Sequence, residues 1–146
     1  MKNKLYLLAK NKYSVLLRIP GPVILLTSIY LSSRSVITVP VVDVSDKVIH
    51  FICFAGLAGA WCWWWNPSGW RARGFRNALV TFFAVSVYGA LDELHQSFVP
   101  GREVSALDWL ADTLGGAAGV FAGYLSVRFI LWKNEFQRGN AGAKKE

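Results

Sequence analysis

Charged residues are scarce in this chain of 146 residues. They make up 17% of the sequence, against about 25% in an average soluble domain, while hydrophobic residues reach 53%. The charges lie mostly in the two ends and in one internal segment, so that long apolar stretches separate them. The length predicts a single domain over residues 1–146, and the composition argues against water as its main solvent.

Cysteine is also rare, and a cleavable leader is not evident. Cys53 and Cys62 are the only cysteines, and nine residues along one helix would hold them too far apart for a disulfide bond. We therefore expect both to be small apolar packing residues. No small-x-small cleavage site ends the first apolar run, so we expect the first helix to be retained as an anchor.

The excess of positive charge does not indicate nucleic-acid binding. The formal net charge is +7, but the chain has no basic helix face and no known reader motif. Its lysines and arginines instead flank apolar runs, as they do in proteins that contact anionic lipid. We expect a lipid bilayer as the partner and no nucleic acid.

Four apolar runs predict four transmembrane helices. The runs cover about 13–32, 46–65, 77–97 and 105–132. Each has about 20 residues or more, which is the length that a helix needs to cross a hydrocarbon core. Pro20 and Pro22 predict a kink in the first helix or a shortened helix starting near Pro20. The polar tail 133–146 predicts disorder. The predicted fold class is an all-α integral membrane bundle.

The distribution of basic residues predicts the orientation of this bundle. Thirteen of the sixteen lysines and arginines lie in the N-terminal segment, the loop 66–76 and the C-terminal segment. The remaining three, Arg34, Lys47 and Arg102, belong to the opposite side. An even number of helices puts both termini on one side, and the richer side is the cytoplasm. We expect a multi-pass protein of the plasma membrane with both termini cytoplasmic.

The positions of the tryptophans and of the small residues lead to two further predictions. The tryptophans gather near predicted helix ends and are expected to be interfacial anchors, with a cofactor-stacking cage as the alternative: Trp61, Trp63, Trp64, Trp65, Trp70, Trp109 and Trp132. Gly115, Gly119 and Gly123 repeat every four residues. Such small residues let membrane helices approach closely, which favours packing of the second helix against the fourth over a homodimer seam.

Polar side chains cluster at one end of the last three helices. This polar cluster comprises Asp46, Lys47, His50, Asp92, Glu93, Gln96, Arg102, Asp108 and Asp112. Residues four apart, such as Asp46 and His50, share a helix face. Charged groups inside membrane spans are costly, and by default they mark functional sites. We expect an outward-facing pocket built by the second to fourth helices, with the first helix an anchor.

Several chemistries fit this pocket. The candidate catalytic residues are Asp46, His50, Asp92, Glu93 and Asp112, and the candidate ligand-binding residues are Lys47, Gln96, Arg102 and Asp108. The excess of carboxylates would favour a shared proton with His50 as general acid or base. Alternatively it would recruit a divalent cation, whose identity the residues leave open. Arg102 on its turn suits a phosphate or carboxylate. A structural network of ion pairs is the alternative to all of these.

Two motifs resemble those of the VanZ-like family. Asp46-Lys47-x-x-His50-Phe51 resembles its D-K-x-x-H element, and the segment 91–102, LDELHQSFVPGR, is similar to its D-E-x-x-Q-x-F-x-P-x-R element. Asp108, Asp112, Gly115 and Gly119 match the D-x(n)-G-x-x-x-G region that follows. The resemblance covers about residues 43–125. Residue 112 is Asp where the family frequently has Asn, which adds a charge to the site.

The resemblance implies a bacterial cell-envelope membrane protein linked to glycopeptide (teicoplanin) susceptibility, without a defined reaction. One hypothesis is a membrane enzyme that acts on a lipid or lipid-linked envelope precursor. A second is a non-catalytic protein that sequesters such a ligand or a partner. An ion or proton pathway fits less well, because the polar residues do not continue toward the cytoplasmic side. The oligomeric state stays open.

Overall fold

Four helices make up the described part of the chain. The computed structural model describes residues 15–35, 46–65 and 67–143. Its helices are α1 (Pro20–Ser32), α2 (Asp46–Cys62), α3 (Pro67–Gln96) and α4 (Ala106–Ala143), and the described residues contain no strand. The prediction of an all-α chain is confirmed. The N-terminal lysines and most of the loop 33–45 lie outside the described residues.

Two of the helices are long and apolar enough to cross a membrane. These segments are Gly69–Gln96 in α3 and Ala106–Lys133 in α4. With 13 and 17 residues, α1 and α2 reach only about 20 Å and 26 Å at 1.5 Å per residue. A hydrocarbon core is about 30 Å thick. Four spans therefore remain a prediction.

The prolines shorten the first helix, as the sequence predicted. α1 begins at Pro20, and the described residues before it form a turn at Leu17 and Arg18. Proline is favoured in the first turn of a helix because its missing N–H would have no intrahelical partner there. α1 is therefore less than half as long as α3.

The predicted basic loop 66–76 is largely helical instead. α3 begins at Pro67 and is interrupted at Arg73, where the backbone leaves the helical region (φ −145°, ψ 34°). Next to this kink, Gly74 packs against the ring of Tyr124. Trp70 Nε1 donates a hydrogen bond to the carbonyl of Cys62, 2.9 Å away. Trp70 is thus buried at a helix end, and its predicted role as an interfacial anchor is wrong.

The polar C-terminal segment is helical as well. α4 continues to Ala143, so the prediction of disorder from residue 133 is wrong as far as that residue, and 144–146 lie outside the described residues. No proline interrupts this segment. The rings of Phe129, Trp132 and Phe136 pack along the helix with centroids 5.9 Å apart. Aromatic side chains three or four residues apart stabilise a helix, which explains the extension.

Glycines bring α2 and α4 into backbone contact. A Cβ at Gly115 would run into the carbonyl of Phe51, and one at Gly119 would run into the carbonyl of Ala55. One turn further on, a Cβ at Gly123 would lie 2.8 Å from Cys62 Sγ. The four-residue glycine repeat is therefore the seam between α2 and α4, as predicted.

The bundle buries polar groups and exposes apolar ones. Its buried polar or charged side chains include His50, Asp92, Glu93, Asp108 and Asp112. One face of α3 is apolar and between 56% and 60% exposed: Phe83, Val87, Leu91 and Leu94. Such continuous apolar faces are rare on soluble monomers. They are typical of helices that face lipid.

We predict that Gly119→Ala destabilises the bundle, because its Cβ would force α2 and α4 apart. Overpacking of this kind costs about 1–3 kcal/mol, more than the gain of about 1 kcal/mol in helix propensity. Thermal unfolding in detergent would measure the loss. Gly56→Ala is the matched control, since its Cβ would meet only Ile24 at 3.7 Å. Equal melting temperatures for the two variants would contradict the role of this seam.

Candidate functional site

His50 of α2 and Asp112 of α4 form a buried hydrogen bond. His50 Nδ1 lies 2.9 Å from Asp112 Oδ1, and the Asp112 side chain is 0% exposed. Because an ionised carboxylate only accepts hydrogen bonds, Nδ1 donates and Nε2 stays available as a base or ligand. Gly89 of α3 makes room for this carboxylate, since a Cβ there would lie 3.0 Å from Asp112 Oδ2.

Glu93 of α3 lies close to the hydrogen bond between His50 and Asp112. Its Oε2 accepts a hydrogen bond of 2.8 Å from the backbone N–H of Ser105, just before α4. Its Oε1 is enclosed and has no hydrogen-bond partner, and the same is true of Asp112 Oδ2. Donor atoms of His50, Glu93 and Asp112 all lie within 4.8 Å of one another. We call these three residues the buried triad.

Two ion pairs form the rim of the site. Lys47 Nζ lies 2.9 Å from Asp108 Oδ1, with the lysine side chain 46% exposed. Asp46 Oδ2 lies 4.0 Å from Arg102 Nη1 and 4.0 Å from His50 Nε2. The charge of Lys47 is thus compensated by Asp108. Arg102 is mostly buried and keeps an Nε without a partner.

A small cavity of about 40 Å³ lies beside His50 of the triad and is bordered by several polar side chains. Among its lining residues are Asp46, His50, Asp92, Gln96 and Arg102. Gln96 Nε2 donates to Asp92 Oδ2 at 3.0 Å, which orders the wall on α3. One water occupies about 30 Å³ of liquid, so this space suits a water or an ion and not a whole head group.

The first helix contributes to this cavity. Ser28, Leu31 and Ser32 of α1 line it, and Ser32 Oγ is buried without a hydrogen-bond partner. The sequence predicts that α1 is more an anchor than a contributor, and it nevertheless forms part of the cavity wall. The short α1 packs against both α2 and α3, which brings its serines to the polar end of the bundle.

A larger apolar cavity of about 450 Å³ lies beside the small one. We call it the tryptophan cavity; its lining includes Leu25, Leu57, Trp61, Trp64, Trp65 and Tyr88. The hydroxyl groups of Tyr88 and Ser28 lie 2.7 Å apart, and these residues line different cavities. The ring of Phe54 stacks on those of Tyr88 and His50. Aromatic rings thus connect the triad with the tryptophan cavity.

All nine residues of the polar cluster lie at one end of the bundle. Some of them are buried between the helices, and others form the ion pairs at the rim of the site. His95 points away and contacts Ser33 Oγ at 3.0 Å, and Glu103 is exposed. The sequence reasoning missed Gly89, Ser28 and the Ser105 amide. Ser28 stands out as a hydroxyl inside an apolar run, whereas nothing local distinguishes the other two.

The comparison with protein families agrees with the two VanZ-like motifs in the sequence. The family model described as VanZ/LLP1 matches residues 9–129, more than four-fifths of the chain. This chain belongs to the VanZ/LLP1 family. No curated protein and no solved structure matches it. Membership in the VanZ/LLP1 family and the two long apolar helices together indicate a membrane protein associated with the cell envelope.

We predict that Asp112→Ala destabilises this VanZ/LLP1 protein, because buried His50 loses its hydrogen-bond partner. An unsatisfied buried polar group costs about 1–3 kcal/mol. Asp112→Asn should unfold close to the wild type, since its amide oxygen still accepts from Nδ1. Glu103→Gln should have little effect, because Glu103 is exposed on the turn before α4. Thermal unfolding in detergent measures all three, and a wild-type melting temperature for Asp112→Ala would refute the interpretation.

Proposed function

We propose that this protein acts on an anionic lipid or lipid-linked envelope precursor at the outer face of the bacterial plasma membrane. The observation that carries the proposal is a pair of cavities between α1, α2 and α3, linked by the contact between Ser28 and Tyr88. Charged side chains border the small cavity, whereas apolar and aromatic side chains line the larger one. An amphipathic ligand needs both environments side by side. Ligand pockets usually have about 300–1,000 Å³, and the tryptophan cavity falls in this range.

Arg102 is the candidate for holding the anionic head group. It borders the small cavity with an unpartnered Nε, and its nearest carboxylate oxygen is 4.0 Å away. A guanidinium binds phosphate or carboxylate through two parallel hydrogen bonds. Lys47, which pairs with Asp108, instead holds the start of α2 against the start of α4. The head group would remain at the cavity mouth, because the cavity itself is too small for it.

His50 and Glu93 are the candidates for proton transfer. Asp112 orients the His50 ring, which leaves Nε2 toward Asp46 and the small cavity. This is the arrangement by which a carboxylate holds a histidine for general acid–base catalysis. Among the described residues, the buried ionisable acids and histidines all belong to the polar cluster. That distribution supports a pocket and not a path through the membrane.

A non-catalytic binding protein is the second candidate function. The observation that favours it is the closure of the rim by Lys47–Asp108 and Asp46–Arg102, which resembles a structural network. Such a protein would sequester the lipid-linked ligand or a partner and so change teicoplanin susceptibility without forming a product. Glu93→Gln distinguishes the two functions: an enzyme loses the phenotype while keeping its ligand, whereas a binding protein keeps both.

We predict that Arg102→Gln weakens binding of the anionic lipid. A hydrogen bond to a charged group contributes about 1.5–3 kcal/mol, so the affinity should fall roughly tenfold or more. Native mass spectrometry of the purified protein with its co-purified lipids measures binding, and teicoplanin susceptibility of expressing cells measures the effect. Arg34→Gln is the matched control, since Arg34 is exposed and contacts Tyr30. Equal lipid occupancy in both variants would exclude Arg102 as the head-group ligand.

We predict that the turn before α4 faces the outside and the end of α4 faces the cytoplasm. In a background without Cys53 and Cys62, Glu103→Cys should react with a membrane-impermeant maleimide on intact cells. Lys133→Cys should react only after lysis. Both positions are exposed, so access to the reagent depends on the side of the membrane. The reverse labelling pattern would overturn the proposed orientation.

A further inference from the structure

We propose that His50, Glu93 and Asp112 bind one divalent cation of the first transition series, with Zn²⁺ and Mn²⁺ the best fits. The binding of this ion requires only the buried triad and does not depend on a lipid. Its use in a reaction rests on the proposed function, and with the ion bound His50 and Glu93 would act as its ligands and not as proton-transfer groups. The two ideas therefore succeed or fail separately.

The first argument is the pair of buried carboxylate oxygens without partners. Glu93 Oε1 and Asp112 Oδ2 are enclosed, belong to side chains that are at least nine-tenths buried, and have no hydrogen bond. Leaving a buried polar group unsatisfied costs about 1–3 kcal/mol, and more for a charged one. A cation coordinated by both carboxylates would remove that cost. The arrangement is thus better explained with an ion than without one.

The second argument is charge. Asp108 is compensated by Lys47, and Asp46 lies near Arg102. Within residues 15–35, 46–65 and 67–143, neither a lysine nor an arginine forms an ion pair with Glu93 or Asp112, and the cationic partner available to Asp112 is His50 when it is protonated. A divalent cation carries the charge that balances two buried carboxylates. His50 as a neutral ligand then adds a donor atom without changing that balance.

The third argument is geometry. One donor atom from each residue of the buried triad lies within 4.8 Å of the other two. Bonds from Zn²⁺ to nitrogen or oxygen measure about 2.0–2.2 Å. The ion takes the place of the Nδ1 proton between His50 and Asp112, the ring keeps its proton on Nε2, and small side-chain rotations bring Glu93 to the same ion. Imidazole and carboxylate are the ligands that suit Zn²⁺ and Mn²⁺. Three protein ligands leave a coordination position open for water or substrate, as in catalytic zinc sites.

The surroundings of the triad also match a metal site. The Ser105 N–H fixes one oxygen of Glu93, so its other oxygen is free to bind. Ligating carboxylates in metal sites are commonly held in this way. A second group of possible ligands, Asp46, His50 and Asp108, is less suitable. There Asp46 is half-exposed and Asp108 is occupied by Lys47.

The test is metal binding by the full-length protein in detergent. After chelation and dialysis, isothermal titration with Zn²⁺ and Mn²⁺ should show one site per chain. Elemental analysis should then find one retained ion. Glu93→Gln and Asp112→Asn keep the side-chain shape, and each should weaken binding at least tenfold, since even outer-shell changes cost about 10–100-fold. Zn²⁺ or Mn²⁺ should also raise the melting temperature of the wild type but not of Glu93→Gln.

Two control variants exclude adventitious binding. Glu103→Gln and His95→Ala remove an exposed carboxylate and an exposed imidazole outside the triad, and they should bind the ion like the wild type. If the wild type takes up no ion, or if Glu93→Gln binds as tightly as the wild type, the proposal is wrong. Loss of binding in the control variants equal to that in Glu93→Gln would also overturn it. Lipid occupancy, measured on the same samples, reports separately on the proposed function.

Discussion

The contact between the backbones of α2 and α4 is the constraint on which the site depends. Gly115 and Gly119 lie directly on the carbonyls of Phe51 and Ala55, so the two helix axes come closer than side chains would normally allow. One turn before Gly115 on α4 lies Asp112, and the residue before Phe51 on α2 is His50. The glycine seam therefore determines the separation of the two side chains that form the buried hydrogen bond.

The polar end of the bundle separates compensated charges from uncompensated ones. At the rim, Lys47 pairs with Asp108 and Arg102 lies near Asp46, and the half-exposed Lys47 and Asp46 are screened by solvent. Deeper in the bundle, Glu93 and Asp112 each keep an oxygen without a partner. Burial without compensation is expensive inside a membrane protein. The rim charges are therefore paired with one another, whereas the buried triad keeps two carboxylate oxygens without partners.

Local sequence patterns predicted much of the fold, but they did not predict where the helices α3 and α4 begin and end. The apolar runs, the start of α1 at Pro20 and the glycine repeat all follow from residues close together in sequence. The charge of the segment 66–76 predicts a loop, and that of the polar tail from residue 133 predicts disorder, but both are largely helical. The contacts that hold them helical, from Trp70 to Cys62 and between Phe129, Trp132 and Phe136, outweigh that composition.

The sequence by itself determined that polar residues share helix faces at one end of an apolar chain, because helical periodicity acts over four residues. It could not decide which carboxylate meets His50, since Asp46, Asp108 and Asp112 are chemically alike. The tertiary structure assigned Asp112 to the buried bond, Asp108 to Lys47 and Ser32 of α1 to the cavity wall. These choices depend on the rotation and crossing distance of helices about sixty residues apart, which packing at Gly89, Gly115 and Gly119 sets.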